Sequence, residues 1–345
     1  MNIYFISDIH FGVRNSSEEW LDNQINYFEN FFIPNVLKDP DDKILIIAGD
    51  VFDNRQSINI HIYHNVFLLL QRIKRLFKEI HLIVGNHDIF NKTNNDVNSL
   101  NIFSLIPNVY VYKEPEVITV NDKKILLMPW YNGQEHVKIQ EFKQDLDYLV
   151  LHADINTLQF NAYSKVNNGL EVFYLKDFKY VFNGHIHYNQ EQGNIITLGS
   201  PYHLTRSDID NDKYIYVLNA QTNQIRKIIN DYSPKFKQFD FFQLIEYNFD
   251  EIYREFQNNY VYLYISNDIS FETGINYILQ DLNVTKNLKI VYYENDKTVQ
   301  FESNEQFSIN DIINEYVENL KYDNNTIQMV KNTLEHYKGV LNYTD

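Results

Sequence analysis

Over the first 230 residues, short apolar runs alternate with longer amphipathic stretches, the pattern of an α/β unit whose strands are covered by crossover helices. The runs predict strands over 2–7, 43–49, 80–85, 124–129, 147–151, 179–183, 194–198 and 214–218, and helices over 17–36, 58–77 and 98–105. The middle helix is apolar on more than one side, with Ile60, Ile62, Tyr63, Val66, Phe67, Leu68, Leu69, Leu70 and Ile73. One face suffices to cover a sheet. The remainder calls for a second cover, either a neighbouring helix or a second copy of the chain in a homodimer.

The pattern changes at Ser233-Pro234. From there to about 302 the chain reads strand, helix, strand, helix, strand, over 239–247, 250–256, 260–266, 271–280 and 288–294, enough for a small α+β domain. Beyond it, Ile309, Ile312, Ile313, Tyr316, Val317 and Leu320 repeat at helical spacing, and so do Ile327, Val330, Leu334, Tyr337 and Leu341 after a polar turn. Two amphipathic helices in succession predict a helical hairpin, packed on its own chain or offered to a partner. The expected organisation is therefore 1–232, 236–302 and 305–345.

Composition narrows the chemistry. The chain of 345 residues has 44% hydrophobic residues, with 27 Tyr and 24 Phe, so sizeable cores are available and bulk disorder is excluded. It contains no Cys, which removes disulfides, thiolate nucleophiles and Cys-ligated metals and fits a reducing compartment such as the cytoplasm. No signal peptide is readable at the N-terminus, and no apolar run of some 18 residues predicts a membrane span. A net charge of -16 argues against a general electrostatic grip on nucleic acid.

Five predicted strands end in residues of metal-ligand type: Asp8-Ile9-His10, Gly49-Asp50, Gly85-Asn86-His87-Asp88, His152, and Gly184-His185-Ile186-His187. These ends hold five of the 11 histidines. Alone, each cluster is a common accident or a capped turn. In an α/β sheet, however, the crevice beyond the carboxyl ends of the strands gathers residues distant in sequence. Two carboxylates, four imidazoles and one amide fill two cation sites if one carboxylate bridges. Nitrogen and oxygen donors without sulfur suit Mn²⁺, Fe²⁺, Zn²⁺ or Mg²⁺. A cation pair about 3.5–4 Å apart clamps the attacking and leaving oxygens of a displacement at phosphorus, which is phosphoester hydrolysis.

In this order, the clusters resemble the calcineurin-like metallophosphoesterase superfamily. The resemblance implies a two-layered β-sandwich flanked by helices in place of a simple doubly wound sheet. The phrases Ile6-Ser7-Asp8-Ile9-His10-Phe11-Gly12, Gly49-Asp50-Val51-Phe52-Asp53, Ile83-Val84-Gly85-Asn86-His87-Asp88 and Leu198-Gly199-Ser200-Pro201 further resemble the SbcD-type DNA repair nucleases, in particular the small recombination-nuclease subunit of large tailed phages. The resemblance implies that Asp8, His10, Asp50 and His187 hold one ion, most often Mn²⁺, and that Asp50, Asn86, His152 and His185 hold the other. It also implies that His87 acts on the scissile phosphate, that Asp88 orients His87 or its turn, and that the partners are DNA and an SbcC-type coiled-coil ATPase docked on the terminal hairpin. Relatives that place a His three residues after the bridging Asp differ from this chain, which has Asp53 there.

The other histidines have plainer readings: His61 and His64 as a helix-surface pair, His81 opening a strand, His136 and His336 solvated. His203 is a candidate DNA contact. Two rival functions stand beside a DNA nuclease: a calcineurin-like phosphatase or small-molecule phosphodiesterase, for which everything after Tyr232 would be superfluous, and a non-catalytic scaffold, for which the full ligand set would be.

Overall fold

The computed structural model describes residues 1–91, 94–142, 145–240, 249–266 and 288–293. The helix expected over 271–280, the terminal hairpin over 305–345 and His336 lie outside the described residues. In chain order the strands are β1 (Asn2–Ile6), β2 (Lys43–Ile47), β3 (Ile80–Ile83), β4 (Ile89–Asn91), β5 (Asn94–Asn98), β6 (Val109–Tyr112), β7 (Glu116–Val120), β8 (Lys123–Met128), β9 (Tyr148–His152), β10 (Tyr180–Gly184), β11 (Gln190–Gln192), β12 (Ile195–Thr197), β13 (Tyr214–Asn219), β14 (Ile225–Ile229), β15 (Phe236–Asp240), β16 (Tyr260–Ser266) and β17 (Leu288–Tyr293). The helices are α1 (Glu18–Tyr27), α2 (Ile33–Leu37), α3 (Ile60–Ile73), α4 (Glu135–Glu141) and α5 (Phe249–Asn258).

Two six-stranded sheets, in the orders β14-β13-β1-β2-β3-β6 and β11-β12-β10-β9-β8-β7, carry the fold. β1, β2, β3 and β6 run parallel, as do β8, β9, β10 and β12. Their near-continuous apolar sequences follow from burial on both faces. Ile3, Phe5, Ile44 and Ile46 of the first sheet meet Ile125, Leu127, Val150 and Phe182 of the second in one core, with Phe5 stacked on Phe182 at 4.0 Å between ring centroids. The alternate residues Tyr4, Ile6, Leu45 and Ile47 turn outward beneath α1 and α3. On the other side Leu126, Met128, Leu149 and Leu151 are covered by Ile139 of α4 and by loop residues such as Leu158 and Leu170. The result is the β-sandwich between covering layers that the resemblance implied.

Every strand expected before residue 230 is present, whereas β4, β5, β6, β7, β11 and β14 were not anticipated. These are sheet-edge strands or the β4–β5 hairpin, and what selects an edge strand is a neighbour with free backbone groups more than its own hydrophobicity. The helix expected over 17–36 is present as one helical run from Glu18 to Leu37, widened by a π-helical turn, Phe28–Phe32, next to Pro34, which has no N–H for the α-helical ladder. One helical expectation is corrected. The stretch 98–105 is no α-helix: Asn98 Oδ1 accepts from the Leu100 and Asn101 N–H groups, and this Asx turn leaves only a 3₁₀ segment, Asn101–Leu105. That segment supplies part of the second cover for α3, since Phe103 stacks on Tyr63 and Phe52. Ile60 and Leu68 remain exposed.

The strand expected from residue 239 begins earlier, at Phe236, and β15, β16 and β17 form a parallel three-stranded sheet with α5 as the crossover between the first two. Phe236 and Tyr260 stack on Trp20 of α1, and Asn23 donates to the Tyr260 hydroxyl at 2.9 Å. Residues 1–293 make one compact unit. Among the described residues no helix is long and apolar enough to cross a membrane.

A buried ion pair secures the segment after β12. Lys213 Nζ donates to Asp208 Oδ1 (2.6 Å), Asn211 Oδ1 (3.0 Å) and the His187 carbonyl (2.8 Å), and both charged side chains are 2% exposed. Removing one partner strands the other charge in the interior. Lys213→Met is therefore expected to lower unfolding free energy by about 3–5 kcal/mol in urea titration, with a smaller loss in the Lys213→Met/Asp208→Leu double variant.

Candidate metal centre

The parallel strands aim their carboxyl ends at one crevice, and the chain turns sharply there. Asp8, His10, Asp50 and His185 all have left-handed backbone, with φ of 52°, 51°, 53° and 72°. Each such residue costs on the order of 1–3 kcal/mol, which the surrounding packing must offset. The turns are close: a Cβ at Gly85 would overlap the Asp50 carboxylate, and one at Gly49 would overlap the His152 ring.

Three donor groups result among the described residues, two of them built from the predicted ligands and the third from His10, Asp53 and His87. In the first, His10 Nε2 lies 3.0 Å from His187 Nε2, and Asp8 Oδ1 lies 3.8 Å from the latter. In the second, Asp50, His152 and His185 converge, with Asn86 beside both rings. Asp50 Oδ2 reaches both clusters, 3.7 Å from His10 Nε2 and 3.3 Å from His152 Nε2. Ring nitrogens facing each other at such distances require a proton or a cation between them. The seven sequence-predicted ligands, Asp8, His10, Asp50, Asn86, His152, His185 and His187, thus meet in one crevice, and their nitrogen and oxygen donors fit divalent cations.

Outer contacts fix the ring orientations. His152 Nδ1 donates to the Ala48 carbonyl (2.7 Å), turning Nε2 inward. His10 Nδ1 pairs with Asp53 Oδ1 (3.2 Å), and His185 Nε2 with Asp154 Oδ1 (3.1 Å), so His185 faces the cluster through Nδ1. His87 donates its backbone N–H to Asp50 Oδ1 (2.8 Å) and its Nδ1–H to the Asp53 carbonyl (2.6 Å), and neither contact uses Nε2. Asp53 therefore serves two histidines. Asp88 touches backbone: it accepts from the N–H groups of Gly85 (3.0 Å), Val51 (3.1 Å) and Phe52 (3.2 Å), joining the two turns that carry Asp50 and Asn86.

Electrostatics follow from burial. Although burial opposes its charge, Asp50 is held far below the usual carboxylate range by His152, His10 and His87. His152 is buried too, yet Asp50 raises it to about 9. Burial and His10 push His187 down to about 4, and burial lowers His87 as well. Burial and the Asp50 charge raise Asp88 to about 7.

Sequence reasoning named Asp53 without a role and missed Asp154, Trp130 and Arg55. Asp154 stands two residues after His152, the spacing of Asp8 and His10, and that signal was readable. Trp130, whose ring lies 4.8 Å from that of His185, and Arg55, which contacts Asn86, carry no local signal. His203 is corrected: it is buried, and its Nδ1 accepts from the Phe236 N–H (3.1 Å), so it ties β15 to the core and does not face DNA. His81 is buried between Tyr112 and Glu79, while His61 and His64 are exposed.

The pattern of the calcineurin-like phosphoesterase family matches residues 1–189. Exonuclease subunit 1 of Enterobacteria phage T4 is 28% identical over 239 residues, covering 67% of this chain and 68% of that protein. Among solved structures, the chain is similar to a novel archaeal phosphodiesterase (14% identity, 66% of this chain and 99% of that one, TM-score 0.32). A second is the protein of unknown function AQ665 from Aquifex aeolicus (21% identity, 55% and 81%, TM-score 0.28).

A cation held by His152 Nε2 would displace the proton that His152 keeps up to about 9. Mn²⁺ uptake between pH 6 and 8 is accordingly expected to release protons, with apparent affinity rising roughly tenfold per pH unit for each proton displaced. Calorimetry in buffers of different ionisation enthalpy measures both quantities, and a pH-independent affinity would contradict the assignment.

Proposed function

The chain belongs to the calcineurin-like phosphoesterase family, and from that premise we propose that it is a divalent-cation-dependent DNA exonuclease and endonuclease, acting at DNA ends in recombination and repair. The observation that carries the reading is the Asp50 carboxylate shared by two donor clusters. Asp8, His10, Asp50 and His187 would hold one ion and Asp50, Asn86, His152 and His185 the other, with Mn²⁺ the proposed metal. When bound, such a pair supplies Lewis-acid polarisation of the phosphoryl oxygen and a water of lowered pKa.

The chain's own residues do the rest. Asp53 fixes the His87 ring through Nδ1, so Nε2 points away from that anchor toward an incoming phosphate. Burial keeps the free ring neutral near pH 7; an anionic phosphate beside Nε2 favours its protonation, and that proton is then available to the leaving oxygen. Asp88 keeps the Asp50 and Asn86 turns in register during this exchange.

DNA as substrate is supported by the similarity to a phage exonuclease subunit. A chain of charge -16 gains little from general attraction to DNA, and the word subunit in that relative's name supports a partner that supplies grip. We assign that role to an SbcC-type coiled-coil ATPase docked on 305–345, with 236–302 capping the DNA beside the nuclease region 1–232.

Purified protein with Mn²⁺ is expected to degrade labelled linear duplex or hairpin DNA, and His87→Ala is expected to lose activity at least a hundredfold while retaining its ions by elemental analysis. Turnover of p-nitrophenyl phosphate with no cleavage of DNA would favour a phosphatase. In a separate test, truncation at residue 304 should abolish co-purification with the ATPase and spare hydrolysis of a small phosphodiester; a surviving complex would place the docking element elsewhere.

A further inference from the structure

The Asn86 carboxamide sits between two kinds of neighbour. On one side are His185 Nδ1 at 2.7 Å and Asp50 Oδ2 at 3.3 Å, both bearing lone pairs, with the protonated His152 Nε2 at 2.9 Å; on the other, at 2.8 Å, is Arg55 Nη2, a donor. An amide has one acceptor end and one donor end, so its orientation decides which side is satisfied. With the NH₂ turned inward, its two N–H groups meet two acceptors, His185 Nδ1 and Asp50 Oδ2, and the oxygen accepts from Arg55. With the oxygen turned to the imidazoles, as coordination of a cation requires, the NH₂ faces the guanidinium, donor against donor. The second orientation leaves two donors facing each other while Arg55 stays in place.

Among the described residues Arg55 has no carboxylate, carbonyl or aromatic partner other than this amide, in a chain with 46 acidic side chains. It is half-buried beside His87, and its charge contributes to the depression of the His87 imidazolium. A guanidinium without a carboxylate, next to an imidazole that awaits an anion, is placed for a phosphate oxygen.

We propose that Arg55 and a divalent cation compete for the side-chain oxygen of Asn86, so that cation binding at the Asp50, His152 and His185 cluster turns the amide, expels the guanidinium and frees it for a substrate phosphate oxygen. The inference rests on the phosphoesterase reading above and adds an order of events: phosphate is gripped well only after the cation is in place. Arg55 is a positioning residue in the cation-free protein and a phosphate-binding one afterwards. No covalent bond changes in the exchange; one hydrogen bond is traded for coordination of the same oxygen.

The test is calorimetric and needs no turnover. Full-length wild type, Arg55→Ala and Arg55→Lys are titrated with Mn²⁺, and the loaded proteins are then titrated with inorganic phosphate, with circular dichroism checking that each variant is folded. Competition predicts that Arg55→Ala binds the weaker Mn²⁺ several-fold more tightly than wild type, because a rival for the oxygen and a like charge are both gone. It also predicts phosphate affinity at least tenfold lower in loaded Arg55→Ala, with Arg55→Lys between the two. A supporting role for Arg55 would give the opposite sign, weaker Mn²⁺ binding in Arg55→Ala, and would overturn the proposal, as would equal phosphate affinity. Wild type that takes up no Mn²⁺ overturns both this proposal and the parent reading, whereas normal uptake with unaltered affinities in Arg55→Ala overturns the Arg55 assignment alone.

Discussion

The structure turns on keeping the Asp50 carboxylate charged in a place where water cannot solvate it. Asp50 is 1% exposed, sits in left-handed backbone just past β2, and has His10 on one side and His152 on the other. Isolated burial of a carboxylate is prohibitive, so its charge persists only because positive or hydrogen-bonding groups surround it. One oxygen accepts the His87 N–H and the other faces the imidazoles. Each of those groups arrives on a different strand end, and the crevice is therefore inseparable from the sheet that builds it.

That arrangement explains the polar residues around it whose contacts go to its turns and rings. Asp88 spends its acceptors on three backbone N–H groups and so locks the Asp50 turn to the Asn86 turn. Asp53 and Asp154 select which nitrogen His10 and His185 present, and the Ala48 carbonyl does so for His152. Left-handed backbone at Asp8, His10, Asp50 and His185 is tolerated because these contacts over-determine it. Rings and carboxylates whose orientations are fixed by their own hydrogen bonds have little freedom to lose, which is the physical content of preorganisation.

Much of the site was readable from residue order alone. Apolar runs such as Ile44-Leu45-Ile46-Ile47 announce strands, and the polar residues that end them announce a shared crevice, since parallel strands point their carboxyl ends the same way. Less readable were the edge strands β7 and β14, whose half-exposed sequences become strands only beside a partner, and the 98–105 stretch, where the Asn98 side chain outcompeted an α-helical ladder. His203, a candidate DNA contact by sequence, is covered by β15, whose Phe236 N–H donates to its ring.

Sequence by itself determined the strands that lead into the site, the nitrogen- and oxygen-bearing residues at their ends and the absence of any thiol among them, because these are properties of local hydrophobicity and side-chain chemistry. Tertiary structure alone decided that Asp50 lies between the two clusters, which nitrogen each histidine turns inward, and that Arg55 rests on the Asn86 amide. Those are distances between groups carried by different strands and loops, and they exist only once the sheets have stacked and the turns at their ends have closed on one another.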